Sequence, residues 1–191
     1  MREFFETVWN QSVPLSTEIA SIKSGRKTRP RARVICGREE IFKQIAKLQL
    51  QTTQGISEIT TLNGPVRIVR RMEKEIFAPR KDITWRILCH MNLQNFAEMK
   101  KLKSVADLRH LNRPFGIGII IFDSSEALIH YIHPDSPDLA TTAADVAMDT
   151  TDPSLVKNLL WMFDSVWQNA VPIDRKLRKI THARSTVSAR I

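Results

Sequence analysis

Long apolar runs are missing from this chain of 191 residues, and that absence narrows its class first. Nothing approaches the ~20 consecutive apolar residues of a membrane helix, so no membrane partner is expected. The opening MREFFETVWNQ has no apolar stretch of the kind a secretory leader needs. A cytoplasmic protein is the expectation. Cysteine is scarce too. Cys36 and Cys89 are the only two, and in strand-like runs they read as buried reduced thiols rather than a disulfide scaffold or metal site. The common catalytic signatures are also absent: no G-x-x-x-x-G-K-[ST], G-x-G-x-x-G, H-E-x-x-H or G-x-S-x-G occurs. Phe115-Gly-Ile-Gly118 lacks the third glycine and the following helix of a phosphate cradle. His130-Tyr-Ile-His133 has the look of a metal pair. Positions i and i+3 of a strand leave opposite faces, however, so no metal is expected there. Nothing in the chain points to a cofactor.

What is present describes an ordinary globular domain. Hydrophobic residues make up 42% and charged residues 26%, enough to bury one core and too much for disorder. The net charge of +9 is unevenly placed. Residues 23–38 and 174–191 together carry +12, and the rest of the chain carries −3. The excess therefore sits in linker-like and tail-like segments. Arg26, Lys27, Arg29, Arg31 and Arg33 form the densest run, a candidate contact for nucleic-acid phosphates and equally a solvated connector.

Periodicity supplies the elements. A helix is expected over residues 3–13, a second from Pro14 to Gly25, and a basic linker after it. From residue 32 strand and helix alternate: strand 32–36, helix 38–53, strand 56–62, helix 65–78, strand 83–90, helix 92–103 and strand 105–111. The run FGIGIIIFDSSEALIHYI, Phe115 to Ile132, reads as a central strand hairpin closed by a two-serine turn. A short strand is expected near 144–148, then helix 153–171 opened by Asp152-Pro153. The alternation implies an α/β protein with a mixed, mostly parallel sheet flanked by helices. The implied organisation is N-terminal helices at 1–24, a sheet domain at 32–150, and C-terminal helices with a basic tail at 151–191.

Phe5 to Ile22 aligns without gaps on Phe163 to Ile180 at a constant offset of 158. Phe5/Phe163, Val8/Val166, Trp9/Trp167, Val13/Val171, Pro14/Pro172 and Ile22/Ile180 are identical. One helix–proline–helix unit thus brackets the sheet domain. Phe5, Trp9, Phe163 and Trp167 are the expected contacts of a homodimer, or of helices that pass a signal onward.

GREEIFKQIAKLQLQTTQGISEIT, ITWRILCHM, VADLRHLNRPFGIGIIIFDSSEALIHYI and DPSLVKNLLWMFDSVWQNAVP together resemble the effector domain of archaeal TrmB-type transcriptional regulators and related archaeal sensor modules. The resemblance runs over about residues 34–172. It implies a phospholipase-D-like fold with helical extensions, used for ligand binding. Active members of that superfamily carry H-x-K-x4-D. Anchored on Asp123, the nucleophilic histidine falls at Gly116 and the phosphate-binding lysine at Gly118, which implies a protein that is not an enzyme. Only 31 residues precede Ala32, too few for the winged helix of those regulators. A free-standing sensor, an excised module and a partner-dependent regulator all remain open.

The expected function is a non-enzymatic sensor or effector domain of an archaeal regulator, binding a small ligand or a regulatory protein. The alternative is a basic nucleic-acid-binding or transcription-associated protein. Strand ends are where open α/β sheets hold ligands. The candidate pocket is therefore Thr60, His90, His110, Gly116, Gly118, Asp123 and His130.

Overall fold

The central hairpin forms as the sequence predicts. Gly118–Phe122 (β5) pairs with Glu126–Tyr131 (β6) in antiparallel register, Gly118 opposite His130 and Phe122 opposite Glu126. Its turn has Asp123 at φ 49° and Ser124 at φ 56°, with Ser125 N–H donating to Phe122 O at 3.0 Å. Positive φ at both central residues is the type I′ geometry, whose twist matches that of the strands. The computed structural model of the chain describes residues 30–74, 78–133, 135–137 and 144–188. The expected helices at 3–13 and from Pro14, with Phe5 and Trp9, lie outside them.

The remaining elements are β1 (Ala32–Cys36), α1 (Arg38–Gln51), β2 (Gly55–Ile59), α2 (Gly64–Glu73), β3 (Thr84–Cys89), α3 (Phe96–Leu102), β4 (Asp107–His110), β7 (Val146–Thr150), α4 (Pro153–Asn169), β8 (Val171–Pro172) and α5 (Ile173–Ser188). Residues from Ala32 onward form one compact unit. The eight strands make one sheet in the order β1-β7-β6-β5-β2-β3-β4-β8. The fold is the α/β class with a mixed sheet between helices that the sequence implies.

The expected excess of parallel pairing is corrected. Of the seven strand pairings, β2–β3 and β3–β4 are parallel and five are antiparallel. Alternation did set direction, since β1 to β4 all run the same way. The later strands β5, β6 and β7 then insert between β1 and β2, so β1 pairs with β7 instead of β2.

Alternating side chains divide the core in two. One face carries Ile56, Trp85, Ile87, Leu108, Ile120 and Leu128 under α1, α2, α3 and α5. The other carries Ile59, Leu88, Ile119, Ile121 and Ala127 under α4, through Val156, Phe163 and Trp167. Among the described residues α4 is the helix packed on that second face. Val34 (β1), Tyr131 (β6) and Val146 (β7) stay exposed, and so does Cys36. Only Cys89 is buried among the two free thiols expected to be so.

The second copy of the sequence repeat has a definite job in this architecture. Asp152 caps α4 by accepting Leu155 N–H at 2.8 Å, and Pro153 opens it. Val171–Pro172 then adds to the β4 edge opposite His110 and Arg109, and α5 crosses to the other face. Proline suits that outermost strand because it has no N–H to donate. The segment clasps one edge of the sheet. Phe163 and Trp167, expected at a dimer or relay surface, are buried core residues here. Arg86 lies over both rings and Arg109 over Trp167. Among the described residues no helix is long and apolar enough to cross a membrane.

Candidate functional site

Parallel strands β2, β3 and β4 end together, and antiparallel β5 begins at the same end of the sheet. Thr60, His90, His110, Gly116, Gly118 and His130 consequently gather at one end. Asp123 does not join them, since it lies at the far end of β5.

Gly118 leaves no open space over the strand. A Cβ built on it would stand 2.1 Å from Nε2 of His130, so the imidazole from β6 fills the volume that a side chain at 118 would need. Gly116 has nothing within 4 Å of its Cβ direction. His130 is buried, and its Nδ1 has no hydrogen-bond partner. Burial, then the nearby Arg67, lower its pKa to about 4, so the ring is neutral. His133 lies beyond the strand, its ring stacked on that of Tyr131.

Around His130 a small, mainly apolar pocket of about 30 Å3 lies between α1, α2 and the sheet, with Gln49, Glu58, Arg67 and Arg71 also on its walls. Glu58 accepts from Trp85 Nε1 at 3.1 Å, and burial raises its pKa to about 7. Arg67 pairs with Asp135 at 2.7 Å and donates to Thr61 Oγ1. Close by, fully buried Arg38 pairs with Asp145 at 2.5 Å. None of these groups was a sequence candidate. The legible signal was Glu58 itself, a carboxylate at a position that shares the inward parity of Ile56.

His90 and His110 do come close, with ring centroids 5.3 Å apart. Both are engaged locally. His90 Nδ1 donates to Leu111 O at 2.9 Å, and His110 Nδ1 accepts Met91 N–H at 3.1 Å. Burial lowers the His110 pKa to about 4. Thr60 Oγ1 meets Leu88 O at 3.5 Å, and its methyl side closes against Gly64.

Beside these strand ends a cavity of about 390 Å3 opens between the start of α2 and the 92–95 loop before α3. Asn95 fixes that loop: its Oδ1 accepts Asn92 N–H at 2.9 Å, and its Nδ2 donates to His90 O at 2.9 Å. Asn92 Oδ1 in turn accepts Gln94 N–H and Asn95 N–H. Leu62, Val66 and Pro137 form the apolar wall.

At the opposite end Asp123 is a structural lock. Its carboxylate accepts Thr53 N–H at 2.8 Å, Gln54 N–H at 2.7 Å and Gly55 N–H at 3.0 Å, with Thr53 Oγ1 at 3.1 Å. These donors hold its pKa below the ordinary 3.8 despite partial burial. A cavity of about 270 Å3 lies alongside, between Arg86, Ser57 and Leu160. Of the candidate phosphate contacts, Arg26, Lys27 and Arg29 lie outside the described residues. Arg31 is exposed, and Arg33 is half-exposed in an ion pair with Asp149 at 2.8 Å.

No protein-family model and no curated protein matches the chain by sequence. Solved structures do share its fold. TrmBL2, an archaeal chromatin protein described as showing a novel mode of DNA binding, is similar at 14% identity and TM-score 0.50 over 90% of this chain. The match spans 65% of that longer protein. NucT from Helicobacter pylori aligns at 9% identity and TM-score 0.54, over 75% of this chain and 99% of that one. Nuc from Salmonella typhimurium, a phospholipase D family member, aligns at 14% and 0.51, over 75% and 98%. The fold is phospholipase-D-like.

Proposed function

We propose that the chain is a non-enzymatic ligand-binding module of the kind carried by TrmB-type archaeal regulators, acting in the cytoplasm. The observation that carries this reading is the imidazole of His130 packed over Gly118. Phosphoryl transfer by this fold needs a nucleophile at 116 and a cation at 118. Glycine stands at both, and the space at the second is filled by a neutral ring. Asp123 is committed to backbone donors. The same strand ends carry the 390 Å3 cavity, of a size suited to a small ligand. Residues 1–24 would form the dimer and pass the bound state onward. The test is hydrolysis of bis(p-nitrophenyl) phosphate by the purified chain. The expected rate is the uncatalysed one. Turnover that disappears in Asp123→Asn would overturn the reading.

A second reading is favoured by one observation: the fold is shared with a chromatin protein whose description names DNA binding. Arg26, Lys27, Arg29, Arg31 and Arg33 would then contact phosphates. It predicts duplex-DNA binding with a steep salt dependence that is lost when these five are replaced by glutamine.

A further inference from the structure

We infer that the 390 Å3 cavity at the strand ends takes a small zwitterion of the amino-acid type, its ammonium on Glu98 and its carboxylate on Arg70. This rests on the ligand-binding reading above and gives that site its chemistry. The cavity's polar walls fall into two groups. Asn92 Oδ1 and both ends of the Asn95 amide are committed to the loop they build, and Asn63 Nδ2 donates to Asp135 O. These atoms shape the cavity, and the Asn92 amide N–H groups and the Gln94 side chain add neutral polar contacts at its rim.

The charged pair is different. Glu98 Oε2 is shielded from solvent and has no hydrogen-bond partner. A carboxylate oxygen removed from water without a donor is costly, so turning this side chain toward the cavity it lines, to meet an N–H or ammonium there, is favourable. Arg70, on α2, makes a single bond, from Nη1 to Pro137 O at 2.7 Å. Its guanidinium carries five N–H donors, so most of the fork remains for an acid group. The two charges have opposite sign and line the same cavity. Between them Leu62, Val66 and Pro137 present apolar surface for a short side chain. A purely anionic ligand would meet the Glu98 carboxylate, and a neutral sugar would leave the Arg70 guanidinium without a counter-ion. A molecule with one charge of each sign answers both groups.

The experiment is a thermal-shift panel on the full chain with the twenty L-amino acids. C-terminal amides and N-acetyl forms of any hit are added, and neutral monosaccharides and nucleoside monophosphates run in parallel. At about a hundredfold excess over its dissociation constant, a true ligand should raise Tm by roughly 5 °C. The expected result is a saturable shift from one or a few amino acids, lost on amidation or acetylation. Titration calorimetry should then show affinity about tenfold or more weaker in both Glu98→Gln and Arg70→Met. Those two substitutions lie outside the core, and the melting curve of each free variant reports whether it folds. A shift from a sugar or nucleotide alone, abolished by Glu98→Gln, overturns the zwitterion and leaves the ligand-binding reading standing. No saturable shift from any of the panels overturns both.

Discussion

The two ends of strand β5 use polar atoms in opposite ways. At the Asp123 end, one carboxylate accepts from three consecutive backbone N–H groups and a hydroxyl, and the α1–β2 connection is tied to the hairpin turn. At the Gly118 end, His130 Nδ1 is buried without a partner, and Glu98 Oε2 stands the same way beside the adjacent strands. Polar groups shut away from water are nearly always paired. A satisfied cluster holds the fold together, and an unsatisfied one marks where the fold has reserved capacity for something else. Asp123 belongs to the first kind. Of the groups with spare capacity, His130 was a sequence candidate and Glu98 was not.

The contrast can be broken most sharply at Gly118. Gly118→Ala places a methyl 2.1 Å from His130 Nε2 and is expected to cost about 3 kcal/mol in urea unfolding. The double variant Gly118→Ala, His130→Ala should recover most of that loss. Equal instability in single and double variants would mean the imidazole is not what fills the space. At the other end, Asp123→Ala should cost about 2 kcal/mol, since it removes a charged acceptor from three backbone donors in a partly solvated turn.

Protonation gives a third test. Glu58 is raised to about 7 from an ordinary 4.5, so the folded state holds a proton that the unfolded chain has released. Its contribution is complete below pH 4.5 and is lost as pH rises through 7. Glu58→Gln should therefore be more stable than the parent by about 2 kcal/mol at pH 8 and nearly equal to it at pH 4.5. His110 and His130 act in the reverse sense. With pKa values lowered to about 4 from 6.5, their contribution is present above pH 6.5 and lost as pH falls through 4. Denaturant midpoints of Glu58→Gln and the parent across pH 4–8 separate the two effects, and a pH-independent gap between them would refute the Glu58 account. The smallest effect belongs to the turn. Ser124 at φ 56° pays a left-handed penalty that glycine avoids, so Ser124→Gly should add about 0.5 kcal/mol by calorimetry.

Much of the architecture was legible because it is local. The hairpin from Gly118 to Tyr131, the proline-opened helix from Pro153 and the alternation through β4 all follow from short-range patterns. Pairing was less accessible. Arg33 and Asp149 are 116 residues apart yet form an ion pair, and no local signal says that β7 lies beside β1. For the site, the clustering of Thr60, His90, His110 and His130 at one sheet end was legible from strand ends. That His90 and His110 are tied up with backbone partners was not, because hydrogen-bond satisfaction depends on neighbours distant in sequence.

By itself the sequence determined most of the described strands and helices, the direction of β1 to β4, and the glycines that stand at 116 and 118. Periodicity, proline and residue chemistry are local properties, and they suffice for that. Only the tertiary structure decided that β5 to β7 separate β1 from β2, that the repeated helix–proline–helix segment clasps the β4 edge, and that His130 occupies the space over Gly118. Each of these is a competition for burial or for a hydrogen-bond partner among residues far apart along the chain, and such a competition is settled only when the whole sheet is packed.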